Sequence, residues 1–147
     1  MSRAFVKDGD DRPERPPPRP VSDRPNRVTA RGLELLRDGL ARARGAGDER
    51  NVAYFEERIA SAIVVGAHEG DPSEVAFGST VTVREPRGAL VRLQIVGEDE
   101  ADRAHGSIAW ASPYAAALLG HRAGDRVVVQ RPAGATTVLV EKVEPLR

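Results

Sequence analysis

The sequence of 147 residues contains no cysteine. Disulfide bonds and zinc sites built on thiolates are therefore excluded. Aromatic residues make up 4% of the chain, against 40% for all hydrophobic residues, so the core must be built mainly from Val, Leu, Ile and Ala. A chain of this length is expected to form one ordinary domain or two small ones.

An excess of charge and a long apolar run are also missing. The chain has 22 basic and 22 acidic side chains, so its global charge gives no reason to expect a nucleic acid or an anionic membrane as a direct partner. No apolar run approaches the roughly 20 residues that span a bilayer. The N-terminus MSRAFVKDGDD is charged where a secretory signal would be apolar. We therefore expect a soluble, cytoplasmic protein without a membrane partner.

Residues 1–27 hold six of the eleven prolines, set among alternating charges. Consecutive prolines fix φ and remove backbone donors, which excludes both helix and sheet. The composition predicts a disordered tail, with a dedicated proline-motif ligand as the less favoured alternative.

Residues 28–66 carry two amphipathic stripes separated by a Gly-Ala-Gly turn. Apolar residues recur in each stripe at spacings of three and four, which predicts two helices. Thr29 is the predicted N-cap of the first, and Asp48 or Asn51 that of the second. Each stripe is too narrow to be buried alone, so we expect a short antiparallel helical hairpin with the stripes facing each other. The stripes consist of Leu33, Leu36 and Leu40, and of Val52, Phe55, Ile59 and Ala62.

A linker rich in Gly, Pro and acids follows over residues 66–74, and residues 74–147 are rich in strand-like alternation. Within them, Ser112 is a predicted N-cap, Pro113 takes the first helical position, and Gly120 ends a helix of two turns. The predicted fold is α+β: the helical hairpin, then an antiparallel sheet of four or five strands with one short helix on it. The strand-like segments are residues 79–84, 89–96, 127–130 and 136–143.

Two groups of acids are candidate sites. The stretch IVGEDEAD ends a strand with Glu98, Asp99, Glu100 and Asp102. Side chains at a strand end splay apart, and the run lacks the ligand spacing of a calcium loop, so a solvated acidic turn is favoured over a metal site.

The second group is the turn between the helices, where Asp48 and Glu49 are interpreted as turn and capping residues rather than metal ligands. The histidines lack ligand spacing, and no hydrolase, P-loop or zinc-protease motif is present. We therefore expect no cofactor and no bound metal.

Several segments in fixed order resemble the C-terminal domain of the Gre-type bacterial transcription elongation factors. They are VAFGSTVTV, QIVGEDEAD, ASPYAAALLGHRAGDRVVVQRPAG and VLVEKVE, which run over residues 74–144, and NRVTARGLELLRDGL is similar to the start of the family's N-terminal coiled coil. The resemblance implies an FKBP-like fold for residues 74–147. It also implies a protein that binds RNA polymerase beside its secondary channel and meets DNA only through the transcription complex. Nothing in the sequence suggests more than a monomer.

The resemblance also implies roles for particular residues. The acidic loop with Glu98, Asp99, Glu100 and Asp102 would face the polymerase. The corner formed by Ser112, Pro113 and Tyr114 would contact it, with an exposed apolar edge around Tyr114 and Leu118.

The hairpin departs from the family pattern. Gre factors have a much longer coiled coil, whose acidic tip helps to hold a catalytic Mg²⁺ during cleavage of backtracked RNA. Here the helices meet at residues 45–51, the Leu-Ser of the family's tip is missing, and Arg50 intrudes. Short-hairpin relatives, including the regulator of nucleoside diphosphate kinase type, bind polymerase without stimulating cleavage.

We therefore expect an elongation regulator that acts at the secondary channel and is not itself an enzyme. The alternative is a cleavage factor that uses Asp48 and Glu49. A prolyl isomerase is the least favoured hypothesis, because fold alone does not carry function and the sheet domain has few aromatic residues for such a pocket.

Overall fold

The computed structural model describes residues 16–147. Within that range, three α-helices, a short 3₁₀ helix and seven strands form one small sheet and one larger sheet, which confirms the mixed α+β class. The elements follow one another as β1 (Arg27–Val28), α1 (Ala30–Gly45), α2 (Glu49–Ser61), β2 (Ile63–Val64), β3 (Thr80–Arg84), β4 (Leu90–Val96), the 3₁₀ helix (Arg103–His105), β5 (Ser107–Ala109), α3 (Pro113–Leu118), β6 (Arg126–Arg131) and β7 (Gly134–Glu144).

Helices α1 and α2, called the helix pair below, are joined by a turn at residues 46–48 and pack against each other. Thr29 caps α1 by accepting a hydrogen bond from the backbone N–H of Gly32 at 2.9 Å. The helices approach closely at Gly39, where an added Cβ would lie 2.6 Å from Cζ of Phe55. This glycine therefore allows a close contact, although glycine lowers helix propensity.

The strands β1 and β2 bring together the two ends of the helix pair. They pair in parallel, with Arg27 opposite Ile63 and Val28 opposite Val64. The backbone N–H of Ile63 donates to the carbonyl oxygen of Asn26 at 2.8 Å. The chain thus enters and leaves the helix pair at one place.

The larger sheet has the strand order β5-β4-β3-β7-β6. Its pairs are antiparallel except for β4 with β5, which are parallel. The prediction of an antiparallel sheet therefore missed β5. This strand of three residues follows the 3₁₀ helix and pairs in parallel with β4. Helix α3 packs on β5 and β6. The core between helix and sheet includes Val81, Val83, Ile95, Ile108, Leu118, Val129, Val138 and Val140.

Residues 16–25, called the strap below, differ from the disordered tail predicted for residues 1–27; residues 1–15 of that prediction lie outside the described residues. The strap forms no helix or strand, but it packs against α2. The guanidinium carbon of Arg19 lies 3.7 Å from the centre of the Tyr54 ring. Arg50 Nε donates to the carbonyl oxygen of Pro17 at 2.8 Å. Proline removes backbone donors but leaves its carbonyl acceptors, so an extended chain of this kind still binds a neighbouring surface.

No helix within residues 16–147 combines the length and the apolar composition that a membrane crossing requires.

Candidate functional site

The two predicted contact regions of the sheet domain lie at the same edge of the sheet. The acidic loop, residues 97–102, follows the carboxyl end of β4, and the corner at Ser112 and Pro113 follows that of β5. Because β4 and β5 are parallel neighbours, these ends meet at one edge. The backbone N–H of Trp110 donates to the carbonyl oxygen of Val96 at 2.9 Å, which ties the two regions together.

Glu100 lies at the N-terminus of α1. Its side chain is 2% exposed, and Oε1 accepts a hydrogen bond from the hydroxyl of Thr29 at 2.6 Å. Arg31 Nη1 lies 3.5 Å from Oε2. A carboxylate at this position is also stabilised by the helix dipole. A Cβ on Gly32 would lie 2.9 Å from Glu100 Oε1, so glycine at this position leaves room for the buried carboxylate.

Asp99 binds two side chains of α2. Its Oδ2 lies 2.6 Å from Nε of Arg58, whose side chain is 2% exposed. Its Oδ1 accepts a hydrogen bond from the hydroxyl of Tyr54. Burial raises the pKa of Tyr54 to about 12, and the hydrogen bond to the Asp99 carboxylate adds to the increase. A buried guanidinium is tolerated here because it is paired with a carboxylate.

Glu98 reaches the strap, since the hydroxyl of Ser22 donates to Glu98 Oε1 at 2.9 Å. Three consecutive carboxylates thus bind three different segments: the strap, α2 and the start of α1. The backbone before them is also close to the N-terminal half, because a Cβ on Gly97 would lie closer than 3.0 Å to the carbonyl oxygen of Arg27. The acidic loop therefore clasps the N-terminal half of the protein.

Asp102 is separate from these three carboxylates. It caps the 3₁₀ helix, accepting a hydrogen bond from the N–H of Ala104 at 3.1 Å. His105 Nδ1 lies 2.6 Å from Asp102 Oδ2. The hydrogen bond with His105 is the main reason why the pKa of Asp102 is lowered. Asp102 is exposed to solvent.

The predictions for the acidic loop need correction. A solvated turn is wrong for Glu100, which is buried, and Glu98 and Asp99 are half-buried. The buried Glu100 carboxylate is not accessible to a partner. For the half-buried Glu98 and Asp99, which the N-terminal half also binds, direct contact with a partner stays a prediction. The expectation that the side chains splay apart was sound, but their partners on α1, α2 and the strap were missed. The sequence did contain one signal for such partners: Tyr54 and Arg58 are four residues apart and so lie on one face of α2.

The corner before α3 is capped as predicted, with the N–H of Ala115 donating to the hydroxyl of Ser112 at 3.3 Å. Pro113 is exposed. The predicted exposed edge around Tyr114 and Leu118 is wrong, since Tyr114 is 5% exposed and Leu118 is fully buried. Helical periodicity places both on the side of α3 that faces the sheet.

At the tip of the helix pair, both oxygens of Asp48 are hydrogen-bonded to Asn51. Oδ1 accepts from the backbone N–H at 3.1 Å and Oδ2 from the side-chain amide at 2.7 Å. These hydrogen bonds, the backbone one foremost, lower the pKa of Asp48. Glu49 is exposed. In residues 16–147, no three His, Asp or Glu side chains are grouped so that they could hold a metal ion.

Comparison with known proteins agrees with the motifs. The family model for the C-terminal region of GreA/GreB transcription elongation factors matches residues 64–145. This match covers more than half of the chain, and the chain belongs to the GreA/GreB family. The resemblance found in the sequence is thereby confirmed.

Similar proteins from bacteria carry the same family name. The chain is 40% identical over 96 residues to the transcription elongation factor GreA of Listeria monocytogenes serotype 4a (strain HCC23), covering 65% of this chain and 60% of the relative. It is 35% identical over 96 residues to GreB of Pseudomonas aeruginosa, covering 65% and 57%. With GreA of Sphingopyxis alaskensis it shares 34% identity over 127 residues, covering 75% and 80%. The chain thus spans 60% of the length of the first of these relatives.

Among solved structures, GreA factor homolog 1 (Gfh1) of Thermus thermophilus aligns with a TM-score of 0.46 and 24% identity, covering 82% of this chain and 99% of that one. The GreA/GreB factor of Nitrosomonas europaea aligns with a TM-score of 0.45 and 25% identity, covering 80% and 98%.

Proposed function

We propose that this protein binds RNA polymerase at the entrance of the secondary channel and regulates elongation without stimulating transcript cleavage. One combination of features carries the proposal. A GreA/GreB C-terminal match over residues 64–145 is joined to a short helix pair whose tip aspartate is used as a helix cap.

The length of the helix pair argues against cleavage chemistry. Helix α1 has 16 residues and α2 has 13, which corresponds to about 24 Å and about 20 Å. A carboxylate that helps to hold Mg²⁺ must lie about 2 Å from the ion, and misplacement by about 1 Å already impairs such a site. A helix pair that is several turns shorter than that of a cleavage factor would place its carboxylates much farther than this from the ion.

The chemistry of the tip argues in the same direction. Both oxygens of Asp48 already accept hydrogen bonds from Asn51. Metal binding by Asp48 would compete with these hydrogen bonds and weaken the cap of α2, whose complete loss costs roughly 1 kcal/mol. Arg50 carries a positive charge beside the acids, which further disfavours a metal ion.

For docking, we propose the edge of the sheet that carries Ser112 and Pro113, with residues 74–147 as an FKBP-like domain and residues 28–66 as a shortened coiled coil. Pro113 and Ala116 are exposed there. Asp102, which is paired with His105, is the one exposed carboxylate of the acidic stretch and would meet a basic partner surface. The factor would work as a monomer in the bacterial cytoplasm, meet DNA only through the transcription complex, and act on the polymerase rather than as an enzyme itself.

A backtracked elongation complex with a labelled transcript tests the proposal. We expect binding of the protein without shortening of the transcript, and a decrease in the cleavage that an added GreA factor stimulates. Shortening that disappears in a variant with Asp48→Ala and Glu49→Ala would instead establish the alternative, a cleavage factor. Absence of binding to core polymerase would contradict both.

A matched pair of variants tests the docking edge. Pro113→Arg should weaken polymerase binding at least about tenfold, equivalent to about 1.4 kcal/mol, because it places a long charged side chain on the proposed contact. Pro72→Arg, at an exposed proline whose neighbour Asp71 binds Arg122 beyond the C-terminal end of α3, should leave binding unchanged. Equal affinities of the two variants would contradict docking through this edge.

A further inference from the structure

The strap contacts the helix pair and the acidic loop at the same time. On α2, Arg19 stacks on Tyr54 and its Nη1 donates to Oδ1 of Asn51 at 3.0 Å. On the sheet domain, Ser22 donates to Glu98. A segment that binds both parts restrains the one relative to the other.

The path of the strap explains why it reaches the acidic loop. Arg19 pairs with Asn51 and Asn26 pairs with Arg58, and both pairs are 32 residues apart in sequence, so the strap runs in the direction of α2 with matched ends. An extended proline-rich chain rises about 3.1 Å per residue, whereas a helix rises 1.5 Å. The strap therefore has surplus length, and its backbone bends at residues 23 and 24. Ser22 lies directly before this bend, where its hydroxyl donates to Glu98.

Tyr54 joins the three segments. Its ring is covered by Arg19, and its hydroxyl donates to Asp99 next to Glu98. The strap, α2 and the acidic loop thus share one half-buried contact, which couples the positions of the three segments.

We propose that the strap sets the direction in which the helix pair projects from the sheet, with Arg19 and Ser22 as positioning residues. This inference rests on the proposed function in one respect: the projection decides how the tip faces the polymerase once the sheet is docked. Arg19 and Ser22 bind α2 and Glu98 rather than Ser112 or Pro113, so their effect on docking is indirect.

The contact between Ser22 and Glu98 is also sensitive to charge. No Lys or Arg of residues 16–147 lies within 4 Å of the Glu98 carboxylate, which accepts its hydrogen bond from a neutral hydroxyl. A negative group at residue 22 would therefore repel Glu98 and move this part of the strap away from the acidic loop. A positive group at residue 98 would restore an attraction.

The lack of cysteine allows a direct measurement of the projection in the full chain. Two spin labels, introduced through Ala46→Cys at the exposed tip turn and Val128→Cys on β6, where Val128 is 58% exposed, report the distance between tip and sheet. We expect one narrow distance peak for the otherwise native chain. Ser22→Asp should broaden or shift that peak, and Asp23→Asn, at the exposed neighbouring residue, should leave it unchanged.

Adding Glu98→Lys to Ser22→Asp should restore the narrow peak, because the new pair is oppositely charged. An unchanged peak in Ser22→Asp, with circular dichroism showing that the helices are intact, would overturn the proposal. So would a broadened or shifted peak that Glu98→Lys does not restore. Should Ser22→Asp lose its helices, Arg19→Ala gives the second test, and an unchanged peak there would also overturn the proposal. All measurements are made without polymerase, so a failure of the native protein to bind polymerase would refute only the proposed function.

Discussion

Replacement of Asp99 by alanine tests whether the acidic loop holds the helix pair on the sheet. The variant would leave the guanidinium of Arg58, which is 2% exposed, without its carboxylate. It would also leave the hydroxyl of Tyr54 without its acceptor. Removal of one partner from a buried ion pair costs roughly 3–5 kcal/mol. Since Asp99 is 15% exposed, water can take part of its place, and we expect a loss of about 3 kcal/mol.

This loss is large on the scale of a small protein, whose free energy of unfolding is typically about 5–15 kcal/mol. A chain of this size shifts its melting temperature by roughly 2–4 °C for each kcal/mol. The variant should therefore melt roughly 6–12 °C below the native protein.

Unfolding in urea with two probes separates the helix pair from the sheet. Circular dichroism follows the helices, and the fluorescence of Trp110, the only tryptophan, follows the sheet. In Asp99→Ala the helical signal should be lost at lower urea than in the native protein, and before the fluorescence changes. The control is Arg84→Ala, which removes an exposed pair with Glu141 and should cost less than about 1 kcal/mol.

A double variant sharpens the test. Asp99→Leu combined with Arg58→Met removes both charges, and the result should be more stable than Asp99→Ala, because no unpaired charge remains buried. If Asp99→Ala is no more destabilising than the exposed control, the acidic loop does not act as a clasp.

Two further predictions concern the same region. Gly97→Ala should destabilise the protein by roughly 1–3 kcal/mol, because its methyl group would lie closer than 3.0 Å to a backbone oxygen. The control, Gly45→Ala, lies in open space at a helix end and should be neutral or stabilise the protein by up to about 1 kcal/mol. Equal changes in the melting temperatures of the two variants would contradict the close approach at Gly97. The pKa of Tyr54 is raised from 10.0 to about 12, so its contribution to stability is complete below pH of about 10 and is lost as the pH rises towards 12. Ultraviolet absorbance of the phenolate should show one late-ionising tyrosine that disappears in Tyr54→Phe and ionises earlier in Asp99→Asn; a Tyr54 that ionises near pH 10 would refute this.

The helix ends could be predicted because their signals are local. Thr29, Asp48 and Ser112 all cap helices in the structure, and each accepts a hydrogen bond from a backbone N–H three residues ahead. Such a contact depends on the neighbouring sequence alone. The alternation of apolar and polar residues likewise located β3, β4, β6 and β7, because each strand has one buried face.

The surroundings of the acidic loop could not be predicted in this way. Whether Asp99 meets water or a guanidinium depends on Arg58, which is 41 residues away in sequence. Each strand of the β1–β2 pair has two residues, too few to show any periodicity. For the strap, composition correctly excluded helix and strand, but disorder also requires that no surface binds the segment, and Tyr54 supplies one.

The pairing of β1 with β2 has a consequence for how relatives of this protein can differ. Because the chain enters and leaves the helix pair at one place, the turn at residues 46–48 forms its opposite end, next to the strap contacts of Arg50 and Asn51. Matched insertions there would lengthen the arm by about 5.4 Å for each helical turn added to both helices. The contacts of Thr29 and Arg58 with the acidic loop would stay the same. The length of the helix pair can therefore change, in evolution or by design, while its contacts with the acidic loop stay the same.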